Sequence, residues 1–347
     1  MEHRSGLENR AAPGAGMEKM RTKMHIKNEL GRALLAEFMG TMLLLLIGNC
    51  VVAQSILPRP KLNEMIGVNV GFALAIAFGV AVSYRISGGH INPAVSLMFM
   101  TFRQLSPARF ILYMLAQIAG AFVGAAVSYA LYHEAINQFD GGIRAVVGPK
   151  STAGIFASYP ANHLGLFGGL LDQIIATAVF CFLIAHITDK RNAYPHWLQP
   201  LLIGLSFFAV GTAFAYNCGY PCNPARDFGP RLFTWIIGYG FDVFSHRSWW
   251  WVPIIGPMIG ALLGTQAFDR KGPLRASGRL NQKNRRRTVV GGSRYRISLP
   301  VLQLLNDSLN NEDHNSRCSL SLQNTSLLLS NASVCPFCNK HLLLSPF

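Results

Sequence analysis

The sequence predicts an all-α, polytopic membrane protein with six transmembrane helices and two short re-entrant helices, arranged as an inverted repeat. Of the 347 residues, 50% are hydrophobic and only 14% are charged, whereas soluble domains carry about 25% charged residues. Six stretches of about 20 residues contain few or no charges, which is the length of a helix that crosses a hydrocarbon core. The tripeptide Asn-Pro-Ala also occurs once in each half, before a shorter apolar stretch.

The six apolar stretches lie at residues 33–52, 65–84, 110–132, 170–187, 197–217 and 249–268. Short cytoplasmic loops of membrane proteins carry an excess of Lys and Arg. If the six spans alternate in direction, one side of the membrane receives most of the basic residues, namely those of 1–32, Arg103, Arg109, Lys190, Arg191 and the run after 270. We therefore expect both termini in the cytoplasm, although the other side keeps Arg59, Lys61, Arg144 and Lys150.

The basic residues are concentrated outside the spans, with seven in residues 1–32 and ten in residues 270–297. We expect a basic cytoplasmic tail at 1–32, a membrane domain at 33–268 and a disordered cytoplasmic tail at 269–347. Within the membrane domain, repeats at about 33–132 and 170–268 are joined by a long extracellular loop. The net charge of +15 then indicates contact with a lipid bilayer and not with nucleic acid.

The seven cysteines are odd in number and mostly lie in apolar segments, so they predict no disulfide framework. Cys335 and Cys338, with His341 and the distant Cys318, have some resemblance to zinc ligands. Their spacing lacks a supporting fold, so we favour chance over a zinc site. We expect no bound metal and no cofactor.

The apolar stretches at 94–102 and 225–238 are too short to span a membrane. They follow Asn92-Pro93-Ala94 and Asn223-Pro224-Ala225. Asn is a preferred N-cap and Pro is preferred at the first helical position, so each tripeptide predicts a helix start. Three spans per half reverse the direction of the second half, and the two short helices should therefore enter from opposite faces and meet near the midplane.

Two helix N-termini that meet would concentrate positive partial charge, about +0.5 each, at one place in the bilayer. Cations would be repelled there, while the Asn92 and Asn223 amides could donate hydrogen bonds to a water or alcohol oxygen. Arg226 would add a second barrier to cations, unless its side chain snorkels to the interface. This chemistry predicts a narrow pore for neutral hydroxylated solutes. Two ordinary re-entrant caps without a pore are the alternative.

These tripeptides, the stretch CNPARDFGPR at 222–231 and the repeat resemble the major intrinsic protein family, specifically its aquaglyceroporin branch, over residues 33–268. Asp227 is a marker of the glycerol branch, because the family's strict water channels usually have a small polar residue there. Its neighbours also allow it to pair with Arg231 or to hold a loop. The resemblance implies an aquaporin-like fold, a passive channel for water and glycerol with urea as a further candidate permeant, a homotetramer and a plasma-membrane location.

The resemblance places a four-residue selectivity filter at Phe72, Gly211, Tyr220 and Arg226. Strict water channels have a His at the place of Gly211, so a glycine should leave room beside two aromatic walls. The walls would contact the carbon backbone of a polyol while Arg226 binds its hydroxyls. Without the resemblance, Phe72 and Tyr220 would be interpreted as packing residues.

Three more polar residues are candidates for the pore region. Glu37 and Asp172 resemble the family's buried structural acids, which accept hydrogen bonds from loop backbone and side chains. Solvation at the membrane interface is their alternative. His90 is expected next to the pore, with a hydrogen-bonded structural imidazole as the alternative.

Three other function classes are alternatives to a glycerol channel. Gly211 and Asp227 argue against a water-only pore. An alternating-access carrier also uses inverted repeats and broken helices, so transport kinetics must separate it from a channel. A membrane enzyme is disfavoured because the spans contain no His-Glu-x-x-His or Gly-x-Ser-x-Gly motif.

Overall fold

The computed structural model describes residues 26–59 and 62–268. Over these ranges the chain is helical and forms no strand. Its α-helices, in chain order, are α1 Glu29–Ile56, α2 Met65–Ser87, α3 Pro93–Thr101, α4 Pro107–Asp140, α5 Leu166–Thr188, α6 Gln199–Cys218, α7 Pro224–Thr234, α8 Asp242–Ser245 and α9 Val252–Phe268. The predictions for residues 1–25 and 269–347, including the Cys335 and Cys338 pair, lie outside the described residues.

Within these ranges, six helical segments are long and apolar enough to cross a membrane. They are α1, α2, α4, α5, α6 and the composite segment Asp242–Phe268, in which α8, a 3₁₀ turn and α9 follow one another. Together with the short helices α3 and α7, they confirm the predicted fold class of six spans and two short helices.

Some helix ends differ from the sequence prediction. Helix α4 continues two turns beyond residue 132 and stops at Gly141, whose φ is 70°. The extra turns are stabilised because Asp140 accepts hydrogen bonds from Arg144 and Thr152 of the following loop. Helix α9 starts three residues later than predicted, and Arg247 and Ser248, both at φ 51°, interrupt the helix before it.

The second short helix was predicted to extend to residue 238. Instead, α7 ends at Thr234 and passes into a π-helical turn, Trp235–Tyr239. Gly238 in this turn has φ 110°, a conformation that glycine adopts without steric cost. The regular α-helix therefore stops four residues before the predicted end, and the backbone leaves helical geometry at Gly238, the last residue of the predicted stretch.

The contacts between helices repeat in the two halves. Helix α1 packs on α2 and α4, as α5 packs on α6 and α9, and α2 packs on α6 between the halves. Each short helix packs on the last long helix of the other half, α3 on α9 and α7 on α4. The close approach needs glycine, because a Cβ would lie 2.2 Å from the Phe38 carbonyl oxygen at Gly120 and 2.4 Å from that of Ile174 at Gly260.

Candidate functional site

Both Asn-Pro-Ala tripeptides start a helix, as predicted. Asn92 Oδ1 accepts a hydrogen bond from the Ala94 amide at 2.8 Å. Asn223 Oδ1 accepts from the Ala225 and Arg226 amides at 3.0 and 3.2 Å. The oxygen of each side chain is therefore used for capping, and the Nδ2 group must point away from its own helix.

The two asparagines brace each other's loops. Asn92 Nδ2 donates to the Cys222 carbonyl at 3.0 Å, and Asn223 Nδ2 donates to the Ile91 carbonyl at 2.9 Å. Each accepting carbonyl belongs to the residue directly before the other asparagine. Since an amide NH₂ has two hydrogens, one donor per asparagine is used in the brace and one is left for another acceptor.

The residues before the asparagines have a strained backbone in both halves. Ile91 has φ 44° and Cys222 has φ 45°, a region that costs a non-glycine residue about 1–3 kcal/mol. Buried side chains hold both residues in place. Glu37 accepts from the Ile91 amide at 2.7 Å and from the His90 amide at 2.9 Å, while Gln173 accepts from the Cys222 amide at 3.1 Å.

The second buried acid differs from its prediction. Asp172 accepts hydrogen bonds from the side chains of Asn217, Gln173 and Cys218, and none of these donors is loop backbone. Among the described residues, Asp172 therefore has the expected side-chain donors but not the expected loop-backbone donor. Aspartate is one methylene shorter than glutamate, and the longer neighbour Gln173 reaches the Cys222 amide instead. The sequence indicated that Glu37 and Asp172 are a pair of acids. It did not indicate that Gln173, and not Asp172, would contact the loop backbone in the second half.

A cavity of about 390 Å³ lies inside the bundle beside both asparagines. One end is lined by Tyr84, His196 and Gln199, and the other by Phe72 and Arg226. Between these ends, loop residues oppose an apolar wall. The loop side includes Gly88, Gly89, His90 and Ile91 with Ser87 at the end of α2, and the apolar wall includes Leu44, Ile76, Val80, Phe180, Ile184, Ile203 and Phe207. This lining can contact the carbon skeleton and the hydroxyls of one solute at the same time.

Arg226 lies at one end of this cavity and does not snorkel. Its Nη1 donates to the Phe156 carbonyl at 2.8 Å, and its guanidinium lies 5.2 Å from the centre of the Phe72 ring. Both contacts hold the cation beside the passage, where its remaining N–H groups can donate to a solute. The Phe156 carbonyl was not identified from the sequence.

Asp227 lies behind the cavity and is fully buried. One of its carboxylate oxygens pairs with Arg231 at 2.7 Å, and the other accepts from the Ser158 backbone amide at 2.7 Å and from the Ser158 hydroxyl. Arg231 also donates to the Ser158 carbonyl. Both sequence alternatives for Asp227, pairing and loop holding, therefore occur together. These contacts among Asp227, Arg231 and Ser158 form the Asp227 clamp. The clamp fixes the loop at Ser158, two residues after Phe156, and so supports Arg226 indirectly.

The space beside Gly211 is not open. A Cβ at this position would lie 2.8 Å from Asn69 Oδ1 and 2.9 Å from Tyr220 Cζ. The expectation that glycine leaves free room beside the aromatic walls is wrong, because the Tyr220 ring fills that room. Neither Gly211 nor Tyr220 is among the lining residues of the cavity, whereas Phe72 and Arg226 are.

His90 lines the cavity and also has a structural environment. Its Nδ1 lies 3.1 Å from Ser96 Oγ, and its ring stacks on Phe99 with a centroid distance of 4.5 Å. The two sequence interpretations of His90 are therefore compatible. Among the described residues, no group of three or more His, Cys, Asp or Glu side chains could hold a metal ion.

Comparison with known proteins identifies the family of this chain. The chain matches the family model described as Major intrinsic protein over residues 24–268. It is 41% identical to human Aquaporin-9 over 254 residues, which cover 72% of this chain and 86% of that protein. The chain belongs to the major intrinsic protein family.

Two further similar proteins agree with this assignment to the major intrinsic protein family. Aquaporin-10 of Milnesium tardigradum is 42% identical over 266 residues, which are 72% of this chain and 65% of that protein. The chain thus spans slightly less than two thirds of this relative's length. The X-ray structure of the aquaglyceroporin from Plasmodium falciparum aligns with a TM-score of 0.63 at 27% identity, over 70% of this chain and 96% of that one.

Proposed function

We propose that this multi-pass membrane protein is a passive channel that conducts water, glycerol and similar small neutral solutes and excludes protons and ions. The observation that carries the proposal is the reciprocal brace of Asn92 and Asn223 beside the cavity that both side chains line. It leaves one amide donor per asparagine for a permeant oxygen. The names of the relatives, aquaporins and an aquaglyceroporin, support the same function.

The proposed selectivity has two physical sources. The N-termini of α3 and α7 both point their positive dipole ends toward the braced asparagines, which disfavours a cation there. At the end of the cavity, Arg226 adds a fixed positive charge while Phe72 offers an apolar surface. A polyol satisfies both surfaces, because it has hydroxyls on a hydrocarbon backbone. Urea is a further candidate permeant.

The protein's setting belongs to the same proposal. We infer domain bounds of 1–32, 33–268 and 269–347, a plasma-membrane location, cytoplasmic termini and a homotetramer with one pathway per subunit. The positive residues at the predicted cytoplasmic ends of the spans support the orientation. No enzymatic activity, cofactor or nucleic-acid partner enters this function.

The test is glycerol uptake into liposomes that carry the purified protein. A channel should give an uptake rate proportional to the glycerol gradient, with a low activation energy and no acceleration by glycerol preloaded on the far side. Empty liposomes give the background. Saturation with counterflow would identify an alternating-access carrier, and active water flux without glycerol uptake would identify a water-only pore.

Replacing Gly211 by histidine should slow glycerol more than water. The space beside Gly211, the Gly211 niche, is already filled by the Tyr220 ring. The new side chain must therefore push this ring toward the cavity. An added barrier of about 1.4 kcal/mol for glycerol corresponds to about tenfold slower flux, and the smaller water molecule should be affected less. The two rates are measured in the same vesicles. Equal slowing of both solutes would contradict the proposed filter position.

A further inference from the structure

Asn69 contacts Tyr220, an aromatic residue of the proposed filter, on the side away from the cavity. It lies on α2, one helical turn before Phe72, and is only 3% exposed. Its Oδ1 accepts a hydrogen bond from the Tyr220 hydroxyl. The same oxygen lies 2.8 Å from the place that a Cβ at Gly211 would occupy. Asn69 therefore joins α2, α6 and the loop before α7 at one point.

Three further contacts determine where the Tyr220 ring lies. Its edge faces the Phe72 ring at a centroid distance of 6.2 Å and an interplanar angle of 78°. The Phe207 ring lies 5.3 Å away at 61°, and Gly211 provides the niche. Phe72 and Phe207 line the cavity, and so does Pro221, the residue after Tyr220. The cavity is therefore the space next to Tyr220 into which its ring could turn.

A buried phenol needs a hydrogen-bond acceptor, because leaving the hydroxyl unpaired costs more than a paired hydroxyl contributes. At its present position the hydroxyl is satisfied by Asn69, on the side away from the cavity. If that acceptor were lost, the hydroxyl would be satisfied by turning toward water and solute in the cavity. The ring would then narrow the passage beside Phe72 and Arg226.

We propose that Asn69 is a positioning residue for solute specificity: it keeps the Tyr220 ring in the Gly211 niche and so keeps the passage wide enough for a three-carbon polyol. This inference rests on the proposed function, because it concerns the same pathway. It assigns a specificity role to a residue that does not itself line the cavity.

The test compares glycerol and water permeability of Asn69→Leu with the unmodified protein, per folded channel, in liposomes. Leucine has a similar size but no acceptor. We expect glycerol permeability to fall about tenfold and water permeability by less than about twofold, since only the larger solute meets the displaced ring. A merely structural role would lower the amount of folded protein or slow both solutes alike.

The double variant Asn69→Leu with Tyr220→Phe separates positioning from general damage. A phenylalanine ring needs no acceptor, and removing both partners of a buried hydrogen bond can be nearly neutral. The ring of the double variant should therefore return to the niche. The glycerol-to-water permeability ratio should recover to within about threefold of that of the unmodified protein. If Asn69→Leu does not yield folded protein, Asn69→Ser tests the same loss, because its shorter side chain cannot reach the phenol.

The outcomes distinguish the two proposals. If the unmodified protein carries no glycerol, the proposed function fails. If it carries glycerol and the Asn69 variants keep its glycerol-to-water ratio, only the role of Asn69 is overturned. A ratio that falls in Asn69→Leu but does not recover in the double variant also overturns it, because the effect would not act through the Tyr220 hydroxyl.

Discussion

Replacement of Arg231 by methionine is expected to destabilise the protein by about 3–5 kcal/mol, because it leaves the Asp227 carboxylate buried without its counter-charge. The two side chains are 1% and 0% exposed. Arg231 also donates to the Ser158 and Val243 carbonyls and lies 4.8 Å from the centre of the Tyr159 ring. Thermal unfolding in detergent, followed by tryptophan fluorescence, measures the loss.

The matched control is Arg109→Met, at an ion pair with Glu29 in which the side chains are 40% and 71% exposed. Exposed pairs contribute about 0–1 kcal/mol, so this variant should unfold close to the unmodified protein. Equal unfolding temperatures for the two variants would contradict the structural role assigned to the Asp227 clamp.

Replacement of Glu37 by alanine is expected to lower both water and glycerol flux by tenfold or more per folded channel. Glu37 accepts from two backbone amides, those of Ile91 and His90, and from the side chains of Ser87 and Gln117. Each buried donor left without a partner costs about 1–3 kcal/mol. Ile91 would leave its strained conformation, and its carbonyl would no longer brace Asn223.

Glu37→Gln gives a graded control for the same loop. It keeps one oxygen for the Ile91 amide, as Gln173 provides one for the Cys222 amide in the other half. Its flux should therefore lie between those of the unmodified protein and Glu37→Ala. Water and glycerol permeability of all three proteins are measured in liposomes after normalisation to folded protein. Unchanged flux in Glu37→Ala would show that the buried acid does not support the pathway.

The spans and the short helices could be predicted because their signals are local. A span needs only a continuous apolar length, and a helix start needs only Asn followed by Pro, as at Asn92 and Asn223. The inverted arrangement followed from counting three spans per half. These inferences depend on neighbours in sequence, which is why the bounds of the elements differ from the prediction by only a few residues over most of the chain.

The contacts between the halves could not be predicted in the same way. The brace between Asn92 and Cys222 joins residues 130 positions apart, and its geometry depends on helix packing that spacing does not specify. The occupation of the Gly211 niche by Tyr220 is a second example, because a glycine in a sequence does not indicate what fills its empty side. An asparagine in an apolar span, as at Asn69, was the available sequence signal for that contact.

The most direct test of the paired short helices is simultaneous measurement of water flux and internal pH in the same liposomes, under an osmotic step and a proton gradient. The half-helix dipoles and the braced asparagines should allow fast osmotic shrinkage, while the internal pH should change no faster than it does in empty vesicles. A collapse of the proton gradient that scales with the amount of protein would contradict the proposed pathway.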